Sequence, residues 1–441
     1  MKLPPGSVHL GHRYVGGEPA PFGLDIPDRR QHLYLIGKTG TGKSTLLRNL
    51  IVQDILEGRG VGLIDPHGDL AESVLDVIPS WRTEDVVYFN PADTAYPVGL
   101  NLLECTNTSH EELIPSQVTS IFRSMWPEFW GPRLEHILHA VSATLVMHGG
   151  QTVLGIHRIL TDSSYRENMV SHIKDPFLRS FWHGEFDQYS NEFASEAIAP
   201  VLNKVGRLAM SPMLRNIIGQ PQSGFDPGFM MDNRRIFIAN LCKGLIGEEK
   251  SNLLGSILTA RFQLAAMARA SAPEHEREDF MLYIDEFHNF TTESFASILE
   301  EARKYHLCLT LAHQHMGQLQ ERIRSAVLGN VGSILSFRVG GVDAEILSKE
   351  FDNEFPAQQF TELANHKVCA KLLVQSEATQ PFMGWTLPDL GLYSGRKDII
   401  IRRSREKYAS RKEKVEEKLT RWLNQESQTF STSRTYKRKL N

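Results

Sequence analysis

The chain has 441 residues, of which 41% are apolar and 23% charged; 48 Lys and Arg stand against 52 Asp and Glu, a net charge of −4. This mixture excludes a fibrous or largely disordered chain and suffices for a large core, at roughly 150 residues per domain. No overall basic excess announces a nucleic-acid binder, and Cys105, Cys242, Cys308 and Cys369 form no CxxC pair that would make a zinc site or a disulfide framework.

Residues 1–16 are polar and contain Pro and Gly, without the apolar stretch of a signal peptide. The run 32–36 (HLYLI) reads as a buried strand, followed by a glycine-rich turn and a helix over 43–56. A second strand, 61–64 (VGLI), ends at Asp65-Pro66-His67-Gly68; a helix over 70–77 and a third strand, 86–89, follow. Short apolar runs alternating with helical patterns predict an α/β fold with a mostly parallel sheet. From about Ser109 the texture becomes helical, with helices over 115–125, 134–147 and 195–210. Strands return at 235–240, 280–284, 307–311, 333–337 and 367–374, separated by helices over 250–270, 292–304 and 344–351. The longest apolar stretch, 253–268, carries Arg261 and Gln263 and is too short and polar to span a bilayer. These features predict a cytoplasmic protein with reduced cysteines.

Beyond Ser394 the chain is highly charged. Tyr408, Val415, Leu419, Trp422 and Leu423 share one side of a helix, which predicts an amphipathic helix that needs a partner surface. Residues 396–441 hold 15 Lys and Arg against 6 Asp and Glu, leaving 33 basic and 46 acidic residues, a net of −13, in the remainder. The small total therefore conceals an acidic body and a basic tail.

Gly37-Lys38-Thr39-Gly40-Thr41-Gly42-Lys43-Ser44 matches G-x-x-x-x-G-K-[ST] between a strand and a helix. The glycines let backbone N–H groups curl around an anion, and the helix start adds the positive end of its dipole. This predicts binding of ATP by Gly37, Thr39, Gly40, Thr41, Gly42, Lys43, Ser44 and Thr45, with Lys43 on the β- and γ-phosphates and the Ser44 hydroxyl on Mg²⁺. Asp285-Glu286 follows the apolar strand 280–284, so both carboxylates reach the crevice where α/β sheets bind ligands. Asp285 is predicted to hold Mg²⁺ through water and Glu286 to act as general base on the attacking water. A base-reading N-K-x-D motif and a G-x-S-x-G elbow are absent, and His288, His313 and His315 lack a third ligand at metal-binding spacing.

The strings HLYLIGKTGTGKSTLL, GLIDPHGDL, MLYIDEF and EARKYHLCLTLAHQ together resemble the HerA/FtsK superfamily of P-loop DNA motors, and most nearly the coupling ATPases of type IV secretion and conjugation. The resemblance spans 31–390 and implies a RecA-like core with an all-α insertion. The expected division is 1–108 and 231–394 for the core, 109–230 for the insertion and 395–441 for a basic helical tail. It also implies that Gln314 senses the γ-phosphate and that Arg303 is an arginine finger offered to a neighbouring subunit. Asp65 divides evenly between supporting the metal and forming the turn before Pro66. Coupling ATPases carry N-terminal transmembrane helices and HerA proteins an N-terminal β-barrel; residues 1–31 offer room for neither. The expectation is a cytoplasmic motor core that a partner protein would recruit to the inner membrane. The implied function is an ATP-driven DNA translocase working as a homo-hexameric ring, with a nuclease, relaxase or secretion-channel protein as partner. Two alternatives are a regulatory or scaffolding NTPase ring and an ATPase driving protein substrates through a secretion system.

Overall fold

The structure, a computed structural model, describes residues 3–105, 110–292 and 295–437, with side chains up to residue 424. The expected boundary at 108–109, residues 293–294 of an expected helix and residues 438–441 of the tail lie outside the described residues. The strands are, in chain order, β1 (Val8–Val15), β2 (Glu18–Leu24), β3 (Leu33–Ile36), β4 (Gly60–Asp65), β5 (Val86–Phe89), β6 (Ile236–Asn240), β7 (Phe280–Ile284), β8 (Leu307–His313), β9 (Ser333–Ser336), β10 (Lys367–Lys371), β11 (Leu373–Val374), β12 (Glu377–Ala378) and β13 (Phe382–Thr386). Apart from the β11–β12 ribbon, they form one sheet in the order β2-β1-β13-β10-β9-β3-β8-β7-β4-β6-β5. From β9 to β5 every pairing is parallel; from β9 to β2 every pairing is antiparallel. The parallel strands are buried along their whole length, because helices cover both faces, and this is why they read as unbroken apolar runs.

The chain divides into two compact units. The first comprises 1–89, 120–128 and 226–404; the second comprises 90–119, 129–225 and 405–441. In the first, helix Lys43–Leu56 places Leu46, Leu47, Leu50, Ile51 and Ile55 against Leu33, Leu35, Leu335 and Phe337 of the sheet. Its polar positions are buried too. Asn49 donates to the Leu387 and Pro388 carbonyls, and Asp54 accepts two bonds from Arg29 at 2.6 and 2.8 Å. Burial alone would raise the Asp54 pKa, but Arg29, Tyr283 and Arg59 outweigh it and hold the carboxyl below its ordinary value. At the far edge, Tyr88 N–H of β5 donates to Ser404 Oγ of helix Lys397–Tyr408, which protects an otherwise open strand edge.

Residues 8–24 correct the sequence reading. They form a β1–β2 hairpin that turns through Gly16 and Gly17, both at positive φ, and extends the sheet through β13. The expected strand 367–374 is likewise broken into β10 and β11, and β13 had not been read as a strand.

Among the described residues the second unit is helical, apart from an isolated bridge between Val98 and Ala409. Helices Pro132–His148 and Asn191–Met210 pack around an aromatic cluster in which the buried Trp182 Nε1 donates to Thr144 Oγ1 at 2.9 Å. Val415 and Leu419 of helix Lys412–Lys437 are buried against Leu154, with Trp422 and Ala209 beside them. The amphipathic tail helix thus finds its partner within this unit. Tyr408 belongs to the preceding helix, and Leu423 remains exposed.

Candidate active site

The site forms at the carboxyl ends of three neighbouring strands. β3 leads into the loop 37–44, β8 into Gln314 and β7 into Asp285 and Glu286. Adjacent parallel strands start their connecting loops at one edge, so residues far apart in sequence converge there. The loop is braced on both sides: Gly37 N–H donates to the His313 carbonyl at 3.3 Å and Lys38 N–H to the Arg338 carbonyl at 2.8 Å. Gly40 and Gly42 have φ of +75° and +116°, where a side chain is strained. At Gly42 a Cβ would also lie 2.7 Å from His366 Nδ1. The Thr41 hydroxyl donates to the Lys38 carbonyl at 2.7 Å, and His366 N–H donates to the Thr41 carbonyl.

Lys43 is buried and its ammonium donates to the carbonyls of Gly37 and Lys38. Burial lowers its pKa, while Glu286 and Asp285 counteract the shift. Asp285 is pushed up to about 7, first by burial and then by Asp65 and Glu286, with Lys43 opposing. Ser44 is exposed at the first turn of the helix. This donor set suits a phosphate chain with its divalent cation: an open cradle of N–H groups, one buried ammonium, a hydroxyl and a carboxylate driven upward by burial and by its neighbouring carboxylates. An open cleft of about 680 Å³, lined by Lys38, Thr39, Gln314, Gly340, Gly341 and Asp343, adjoins the loop.

Glu286 adopts φ +45°, ψ +46°, a left-handed conformation that non-glycine residues seldom occupy and that collects at functional sites. Its N–H donates to Asp285 Oδ1 at 3.0 Å, and its Oε1 accepts from Gln314 Nε2 at 2.9 Å. Its Oε2 is buried and, among the described residues, has no hydrogen bond. Asp65 has both carboxylate oxygens engaged, by the N–H groups of His67 at 2.8 Å and Ala71 at 2.9 Å. This geometry assigns it to the turn and to the start of helix Asp69–Leu75.

The structure thus brings together Lys43, Ser44, Asp285, Glu286 and Gln314. Arg303 is not among them: it is exposed on the turn before β8, at the opposite end of the strands from the loop. Three supporting residues escaped the sequence reading, namely His366, Asn289 and Gln318. Asn289 donates to the Glu286 carbonyl at 2.7 Å and accepts from Lys243 at 2.6 Å. None lies in a recognisable motif, and only folding places them.

Residues 8–167 match the family described as "Helicase HerA, central domain". Among solved structures the chain is similar to the bacterial conjugative coupling protein TrwB in its unbound form, at 17% identity and TM-score 0.58, covering 88% of this chain and 90% of that one. The plasmid coupling protein TrwB in complex with ADP and Mg²⁺ gives 17% identity and TM-score 0.60, covering 87% and 90%. VirB4 of Thermoanaerobacter pseudethanolicus gives 13% and 0.55, covering 90% and 99%. At these identities the likeness is one of fold, the large, mostly parallel α/β sheet of the P-loop fold. No curated protein matches the chain. No helix among the described residues is long and apolar enough to cross a membrane.

Proposed function

We propose that this protein is an ATP-driven DNA translocase of the coupling type, which hydrolyses ATP at subunit interfaces of a homo-hexameric ring to move DNA. The observation that carries the reading is the convergence of Lys43, Gln314 and the Asp285-Glu286 pair on one crevice, while Arg303 points its chain position to the other end of the strands. The structures of TrwB, a protein of similar fold, in complex with ADP and Mg²⁺ and with a non-hydrolysable ATP analogue support nucleotide as the ligand.

In this reading the N–H groups of residues 40–45 and the Lys43 ammonium hold the phosphates, and Lys43 leaves the Gly37 carbonyl to do so. Ser44 and Asp285 would hold Mg²⁺, which when bound neutralises charge on the phosphate oxygens. Glu286 Oε2, buried and free of a hydrogen bond, accepts the proton of the attacking water. Gln314 holds the other oxygen and senses the phosphate through its amide. A neighbour's Arg303 stabilises the charge that spreads over the transferring phosphoryl group. DNA contact is chiefly to phosphates and weakens steeply with salt.

The test is Glu286→Gln. Its turnover is expected to fall by about 10²–10⁴-fold while ATP binding persists, and DNA is expected to stimulate the parent protein. Normal hydrolysis by Glu286→Gln overturns the base assignment. Turnover indifferent to DNA overturns the translocase in favour of a scaffolding or protein-driving ATPase.

A further inference from the structure

We infer that His288, oriented by Gln318, is a positioning residue that aims the Glu286 carboxylate at the attacking water. The inference rests on the proposed role of Glu286 as base. It starts from two buried atoms. Glu286 Oε2 and His288 Nδ1 face each other at 3.4 Å, and among the described residues neither has a hydrogen-bond partner. That separation is slightly long for a hydrogen bond, as catalytic contacts often are before substrate draws them together.

The His288 proton is placed by its other nitrogen. Gln318 Oε1 accepts from the His315 N–H at 3.3 Å, so the Gln318 amide must turn its NH₂ the other way. That NH₂ lies 3.2 Å from His288 Nε2. Nε2 must therefore be the acceptor, and in a neutral ring the proton sits on Nδ1, directed at Glu286 Oε2. The ring is neutral: burial, then Lys243 and His315, press its pKa down to about 4. The charged and titratable groups around it are Lys243, His315, His313, His67, Glu248 and Glu286.

A continuous relay follows: Gln318 to His288, His288 to Glu286 Oε2, and Gln314 to Glu286 Oε1. The backbone of the same turn is pinned separately through Asn289 and Lys243. Held at Oε1 by Gln314 and faced at Oε2 by His288, the carboxylate is restricted in its rotation, and Oε2 keeps a second lone pair for the water proton. Orientation of this kind is ordinarily supplied by groups that never touch substrate.

The experiment uses the full chain with ATP. His288→Ala is expected to lower kcat by about 10- to 100-fold, with KM for ATP and equilibrium nucleotide binding unchanged. Gln318→Glu, a surface change of equal size, replaces a donor by an acceptor. It should pull the ring proton to Nε2 and leave a lone pair facing Glu286. Its kcat should be depressed at pH 8 and recover toward the parent as the ring becomes doubly protonated at lower pH. In nucleotide-free protein, ¹⁵N shifts of the His288 ring should show Nδ1 protonated in the parent and Nε2 protonated in Gln318→Glu. Unchanged kcat in His288→Ala overturns the inference, as does a joint loss of kcat and nucleotide binding, or a parental pH profile in Gln318→Glu. The role of Glu286 is judged apart: Glu286→Gln tests it, and an inactive Glu286→Gln beside a fully active His288→Ala sinks only the inference.

Discussion

Asp285 shows at the scale of one residue how the site trades stability for function. Its carboxyl titrates near 7 in the fold, against 3.8 ordinarily, because burial and the neighbouring Asp65 and Glu286 disfavour its charge. Between those two values the folded chain binds a proton that the unfolded chain has released, so stability falls as pH rises from about 4 to about 7. Asp285→Asn removes that penalty. Nucleotide-free Asp285→Asn is expected to melt above the parent at pH 8, with the difference shrinking toward pH 5; equal differences at both values refute the account. The carboxylates themselves were legible in the sequence, because Asp-Glu ends an apolar run that could only be a buried strand. The left-handed backbone at Glu286 and the contacts of His288 were not, since no local pattern encodes φ at one residue or the approach of Gln318 from another strand's loop.

At the scale of elements, the buried parallel strands and the helix Lys43–Leu56 were read correctly, because their apolar runs and the glycine loop carry the signal locally. The edge elements were harder. The Gly16-Gly17 pair between β1 and β2 is a hairpin signal that was there to be used. The break in the tail helix had no such signal. It occurs because Ser410 and Lys412 donate their N–H groups to the carbonyls of Pro97 and Ala95, bonds that a continuous helix would have used internally. The following helix, Lys412–Lys437, is held by Val415 and Leu419. Leu419→Ala should destabilise the second unit by about 2 kcal/mol, the lower end for a buried leucine. It should also cost hydrogen-exchange protection over residues 412–424; unchanged protection there denies that these two side chains anchor the helix.

For the whole molecule, the exposed position of Arg303, away from its own loop, makes the proposed chemistry depend on assembly. ATP turnover per subunit is expected to rise with protein concentration, and Arg303→Ala to lower it by about 10³-fold or more. Mixing Arg303→Ala with Lys43→Ala subunits should restore part of the activity, because one supplies an intact loop and the other an intact finger. Turnover proportional to concentration, with no recovery on mixing, contradicts a finger supplied between subunits.

By itself the sequence determined the P-loop, the acidic pair and the alternation that makes a parallel α/β sheet, since each depends on residues close together in the chain. Only the tertiary structure decided which strand ends lie side by side. Placing β8 between β3 and β7 sets Gln314 against Glu286, and pairing β4 with β7 sets Asp65 near Asp285. It also decided that Asp65 caps a turn and that helix Lys412–Lys437 is held within the helical unit. Those outcomes depend on strand order and on burial, which belong to the assembled sheet and to no single stretch of the chain.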